Sequence, residues 1–327
     1  MRFAAVLALG LLTIANSARA DPPLRLEARL ALPGVKGRID HMAVDVARKR
    51  LYVAELGNGS LDVVDLAAGG PMRRIDGLAE PQGVGYAAAG DLLAVADAGD
   101  GRVRFFRGAD LAPAGAVALG SDADDIRIDP RTGNIVVGYG SGGLAVIDPR
   151  TRSKIGDIRL PAHPEAFAVD GASGRAFVNL PDAQEIAVAG LTTGKTTARW
   201  ATPGLRANFP MALDPSGAAL AVVFRRPPTL ALFDPKTGVV TLRLDACGDA
   251  DDLYFDAARR RIYVSCGSGA VDVFEAAGTG YRSMGRVATA PGARTSLFVP
   301  ELDRLYVAAR AGLLGSTAAI LVFRPTP

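Results

Sequence analysis

The sequence predicts an all-β protein, a seven-bladed β-propeller with four-stranded antiparallel blades, and three observations carry that expectation. A phrase of two apolar residues, an Asp or a substitute, a short polar turn and an apolar triplet recurs seven times. Between the phrases lie short apolar or alternating runs, and no stretch of about 11 residues after the first twenty keeps the 3.6-residue apolar period of a helix. Turn formers are abundant, with 38 Gly and 21 Pro in 327 residues.

In chain order, residues 1–20 come first and have the layout of a secretory signal: Arg2, an apolar run from Phe3 to Ala15, and Ala18-Arg19-Ala20 ahead of Asp21. That run is about 13 residues, short of the ~20 that a spanning helix needs. Cleavage, a single mature domain over 21–327 and a periplasmic or secreted location are therefore expected. Every later apolar run is broken by charge, Gly or Pro, so no membrane span is expected. Leu24 to Leu32 alternates apolar and polar residues and precedes the first phrase. It is expected to complete the last blade, because a ring closed by its own first strand leaves no free sheet edge.

The phrases follow: Ala43-Val44-Asp45 with Leu51-Tyr52-Val53, Gly85-Tyr86-Ala87 with Leu93-Ala94-Val95, Arg127-Ile128-Asp129 with Ile135-Val136-Val137, and Ala168-Val169-Asp170 with Ala176-Phe177-Val178. The last three are Ala212-Leu213-Asp214 with Leu220-Ala221-Val222, Tyr254-Phe255-Asp256 with Ile262-Tyr263-Val264, and Phe298-Val299-Pro300 with Leu305-Tyr306-Val307. The third residue of each first group serves as an anchor, and successive anchors are 42, 42, 41, 44, 42 and 44 residues apart. Such a unit has room for four strands of about 5 to 6 residues with their turns. Turns such as Asp129-Pro130-Arg131-Thr132-Gly133 and Asp234-Pro235-Lys236-Thr237-Gly238 punctuate the strands, Pro presetting φ and Gly accepting positive φ.

The groups Tyr52-Val53-Ala54, Phe177-Val178-Asn179, Tyr263-Val264-Ser265 and Tyr306-Val307-Ala308 resemble the YVTN-type repeats of YncE-like propeller proteins, and the resemblance covers all seven units. It implies fold and export. It also implies that each blade's innermost strand starts at a top face beside the central channel, where the loop between second and third strands returns. It names no reaction, because fold analogy alone does not.

Positions one and three before each anchor are apolar in all seven units, as blade packing demands. Five before the anchor the residues are Asp40, Gln82, Asp124, Glu165, Phe209, Asp251 and Thr295, and one step nearer they are His41, Gly83, Asp125, Ala166, Pro210, Asp252 and Ser296. Asp122, His163, Asn208, Asp249 and Arg294 lie just outside this band. A ring of carboxylates at the mouth of a narrow channel concentrates negative potential and attracts cations. Asp124, Glu165, Asn208 and Asp251 supply the oxygens a divalent cation such as calcium takes, and His41 and His163 would add nitrogens suited to zinc or copper. The competing reading is local: Asp ahead of a strand caps its own turn. The doubled pairs Asp124-Asp125 and Asp251-Asp252 keep the cation reading open beside it, since one Asp suffices to cap. Glu55, Asp97, Tyr139, Asn179, Arg225, Arg226 and Arg310 fall in the top loops, where they could make a polar pocket or lie in solvated loops, and solvated loops are expected.

Cys247 and Cys266 are the only cysteines, and export permits a bridge between them. Closing 18 intervening residues, it would contribute about 3 kcal/mol. Two reduced thiols, or a metal or redox role, are the alternatives. Without Arg2 and Arg19 the balance of 37 basic and 34 acidic residues becomes 35 and 34, which favours neither nucleic acid nor an anionic membrane. Gly138 to Gly143 matches a dinucleotide fingerprint but leads into the strand-like Leu144-Ala145-Val146-Ile147 instead of a helix, and is discarded.

Three functions are compatible with these residues. The first is an exported, monomeric binding protein whose acidic top-face mouth (Asp40, His41, Gln82, Asp124, Asp125, His163, Glu165, Asn208, Asp251, Asp252, Arg294) takes a protein or small-molecule partner or a metal ion. The second is a metal-dependent lactonase resembling gluconolactonase-type propellers, with Glu165, Asn208 and Asp251 around a cation that polarises a carbonyl. The third is a structural envelope repeat protein without a site.

Overall fold

The computed structural model describes residues 21–312 and 315–327, so the expected signal over 1–20 lies outside the described residues. Seven four-stranded antiparallel sheets follow one another around a ring. Their innermost strands are Met42–Asp45, Pro81–Ala87, Ala123–Ile128, Phe167–Asp170, Arg206–Leu213, Ala250–Asp256 and Ser296–Val299, taken here as blades 1 to 7. Each of the first six is followed by its three neighbours in chain order, blade 3 for instance by Ile135–Tyr139, Gly143–Asp148 and Ser153–Arg159.

Blade 7 closes the ring. Its strands from outside inward are Leu24–Ala31, Ala319–Pro325, Arg304–Ala309 and Ser296–Val299, so the first strand of the chain is the outer strand of the last blade. Leu24, Leu30 and Leu32 are buried, but Leu26 is 53% exposed. A bulge between Leu26 and Ala28 breaks the clean alternation the sequence shows, so that Leu24 packs towards blade 6 and Leu30 and Leu32 towards blade 1. Glu27 then reaches Arg304 at 2.7 Å and Arg324 at 3.5 Å, and Thr326 N–H donates to the Pro23 carbonyl at 3.1 Å.

The core lies between blades. Tyr52, Leu61 and Val63 of blade 1 pack on Val84, Leu93 and Val95 of blade 2, and the same face-to-face packing joins blade 7 to blade 1 through Leu30, Leu32, Val35 and Ile39. Blades 2 and 3 approach closest at Gly83, where a Cβ would meet the Asp124 carbonyl oxygen at 1.9 Å. The Asp-Pro turns behave as their residues dictate: Asp129 accepts from the Arg131 N–H at 2.9 Å and the Thr132 hydroxyl at 2.6 Å, and Gly133 takes φ 75°. Cys247 and Cys266 are joined in a disulfide, with Cα atoms 5.9 Å apart, inside the buried cluster shared by blades 5 and 6.

Candidate functional site at the channel mouth

The residues ahead of the inner strands form two tiers. The upper one has two halves. On blades 3 and 4, His163 Nδ1 donates to the Gly140 carbonyl at 2.6 Å and lies 3.5 Å from Asp122, while Nε2 faces Asp124 at 3.9 Å, too long for a hydrogen bond. The Glu165 side chain has no hydrogen bond or ion pair among the described residues. Asp124 beside it outweighs partial burial and, with the Gly140 carbonyl, Asp122 and Glu165, raises His163 to about 9. Burial, together with repulsion from Asp124 and Asp251, raises Glu165 to about 7 despite His163 and Arg225.

Across the channel the carboxylates are paired. Arg225 meets Asp251 at 2.5 Å and Asp249 at 3.4 Å, and its guanidinium stacks 3.6 Å above the Phe209 ring. Arg294 meets Asp251 at 2.8 Å and Asp249 at 3.0 Å, and Arg38 meets Asp40 at 2.7 Å. Burial raises Asp40 to about 6 against the pull of His41 and Arg38. Six carboxylates thus face three arginines and one histidine, a smaller excess of negative charge than the acidic residues alone suggest. Gln82 is half-buried in this tier and makes no side-chain hydrogen bond among the described residues.

The lower tier converges from blades 1, 3 and 6. His41 stands 3.8 Å from both Asp40 and Asp252. Burial opposes its charged form, but Asp252, Asp40, Asp125 and Asp124 prevail and raise it to about 9. Asp252 Oδ2 accepts the Ser296 N–H at 2.7 Å and Asp125 Oδ2 accepts the Phe167 N–H at 3.4 Å, each from the inner strand of the following blade. This separates the doubled aspartates: Asp124 and Asp251 face the mouth, while Asp125 and Asp252 staple one blade to the next. Burial raises both, Asp252 to about 7. Arg127 forms an ion pair with Asp125, and Tyr254 donates to the Ser296 carbonyl at 2.7 Å.

Three expectations are corrected. Asn208 does not reach the mouth: its Nδ2 donates to Asn179 Oδ1 at 2.9 Å and the Glu185 carbonyl at 3.0 Å, which turns the fully buried side chain onto blade 4. A ligand set of Asp124, Glu165, Asn208 and Asp251 is therefore not assembled, and among the described residues no three His, Cys, Asp or Glu side chains are grouped to hold a metal ion. Glu55, Asp97 and Asn179 are fully buried instead of solvated, Glu55 accepting from Ser60, Asp97 pairing with Arg104 and Asn179 donating to the Phe209 carbonyl at 2.9 Å. Arg38, Arg127 and Tyr254 were missed. Arg127 carried a signal, for it stands two before its anchor, where other blades have Ala43, Gly85, Ala168 and Ala212.

Ring and mouth together define the class: a seven-bladed β-propeller with charged side chains gathered in the upper part of its channel. No family model and no curated protein matches the chain. Among solved structures it is similar to a chain of Kuenenia stuttgartiensis hydrazine synthase, with TM-score 0.75 and 14% identity over 88% of this chain and 97% of that one. It is similar also to a chain of the mitotic checkpoint complex, with TM-score 0.79 and 16% identity over 98% of both. Likeness at such identities shows the fold alone.

Proposed function

We propose that the protein is an exported binding propeller of YncE-like type whose top-face mouth captures a cationic group of a small ligand or partner segment. The observation that carries this is the half-mouth on blades 3 and 4, where the Glu165 side chain faces the opening with no hydrogen bond or ion pair among the described residues and Asp124 has only the His163 ring 3.9 Å away. Glu165 is held near neutrality by burial and by its carboxylate neighbours. An arriving cation relieves that repulsion, and the field of the mouth steers it there. Ammonium or guanidinium is favoured over a directly coordinated metal, because among the described residues no three His, Cys, Asp or Glu side chains are grouped to hold one.

Calorimetric titration of the chain from Asp21 with 1,4-diaminobutane and with Ca²⁺ tests this. Saturable binding of the diamine, weakened tenfold or more by Glu165→Gln and by Asp124→Asn, is expected. Absence of binding by both probes would overturn the cation reading. Turnover of a lactone panel that vanished in Glu165→Gln would replace it with the hydrolase.

A further inference from the structure

Below the lower tier the channel holds a cavity of about 420 Å³ to which residues of all seven blades contribute. That lies within the roughly 300–1,000 Å³ of small-ligand pockets. Its wall is apolar, with Ile126, Ile128, Met211, Leu213 and Leu253 among its residues. Small residues, namely Ala43, Gly85, Ala168 and Ala212, also line it. Towards the face opposite the mouth, Val44, Ile128, Val169 and Leu213 are half-buried, so the cavity is open on that side.

The polar ceiling consists of His41, Arg127, Asp252 and Tyr254. Arg127 is the exposed member, with 33% of its side chain open to the channel. Both of its protein acceptors, Asp125 Oδ1 and the Ile126 carbonyl at 2.9 Å, are taken by Nη1. Nε and Nη2 make no hydrogen bond among the described residues. The Asp252 carboxylate is engaged by the Ser296 N–H, with the His41 ring 3.8 Å away. The open valence of the ceiling is therefore that of a guanidinium donor, placed where a planar two-oxygen acceptor can meet it side-on in a water-poor setting.

We infer that the lower channel is a second ligand site, distinct from the mouth, which binds a small amphipathic carboxylic acid with its carboxylate on Arg127 and its apolar body against the inner strands. The head group selects through charge and the tail through burial, at roughly 25 cal/mol for each Å² of apolar surface removed from water. The site does not depend on the cationic ligand proposed for the mouth.

Titration calorimetry of the chain from Asp21 with octanoate, octan-1-ol and octylamine reads the head-group preference directly. Saturable octanoate binding is expected, with octan-1-ol and octylamine at least tenfold weaker. Arg127→Met should weaken octanoate tenfold or more and leave octan-1-ol unchanged. Ala212→Phe, which adds bulk at the cavity wall and leaves the charged tier intact, should abolish both. Should Arg127→Met fail to fold, the head-group order and Ala212→Phe still decide. The inference is overturned by no saturable octanoate binding in the millimolar range, by equal affinity for octanoate and octylamine, or by undiminished affinity in a folded Arg127→Met or Ala212→Phe protein. Glu165→Gln, at the mouth, is expected to bind octanoate as the unaltered chain does, which separates failure here from failure of the mouth reading.

Discussion

His41 is the residue whose state depends most on the others. Its acidic neighbours are Asp252, Asp125 and Asp124 from other blades and Asp40 beside it in the chain, and they hold it charged to about pH 9. His163 behaves alike, also at about 9. A folded pKa raised above the ordinary histidine value contributes stability that is complete below about pH 6.5 and lost as pH rises through 9. Asp40, Glu165 and Asp252 are raised too, to between about 6 and about 7, so the fold also holds more protons than the unfolded chain from about pH 4 upward. Both sets act in the same direction, and denaturation midpoints at pH 5, 7 and 9 are expected to fall in that order. Asp252→Asn removes one raised carboxyl and the first support of His41, and should flatten the trend; an unchanged slope would place the dependence elsewhere. The disulfide makes a simpler prediction. Cys247→Ala with Cys266→Ala is expected to cost about 2–4 kcal/mol in denaturant unfolding under non-reducing conditions. A loss within error of zero would show that the buried cluster of blades 5 and 6 holds without it.

Two elements bear the closure of the ring. Deleting residues 21–33 removes the outer strand of blade 7 together with Leu24, Leu30 and Leu32 and uncovers the edge of Ala319–Pro325. The truncated chain is expected to lose its single cooperative thermal transition or to aggregate, since an unpaired edge is a template for association. A melt superimposable on that of the longer chain would show that blade 7 stands on three strands. At the inner strand of blade 2, Gly83→Ala drives a methyl into the Asp124 carbonyl, and the blades must part. Overpacking of that kind costs about 1–3 kcal/mol, to be read from the urea midpoint. These elements were legible to different degrees. The closing strand could be read from Leu24 to Leu32, but the bulge after Leu26 could not, because it answers to pairing with Ala319–Pro325 almost three hundred residues away. Gly83 could be read as one of three non-polar members of its column, with Ala166 and Pro210, yet the close approach that requires it belongs to the neighbouring blade.

At the scale of the whole molecule the ring turns a one-dimensional repeat into a channel with two faces of different chemistry. Charged residues occupy one end and apolar residues the other, and the boundary falls where His41, Asp125 and Asp252 meet. The sequence by itself determined the number of blades, the strands within them and the turns, because these follow from periods and turn residues repeated every 41–44 positions. Only the tertiary structure decided which charges meet. Asp252 of blade 6 faces His41 of blade 1 and helps hold Arg127 of blade 3, pairings between units far apart in the chain that exist only once the ring is closed. It likewise decided that Asn208 turns into blade 4, that Arg225 and Arg294 neutralise Asp249 and Asp251, and that the second aspartate of each pair binds the next blade. Repetition is a local property that a sequence displays, whereas the partner of a buried charge is set by geometry that many separate blades produce together.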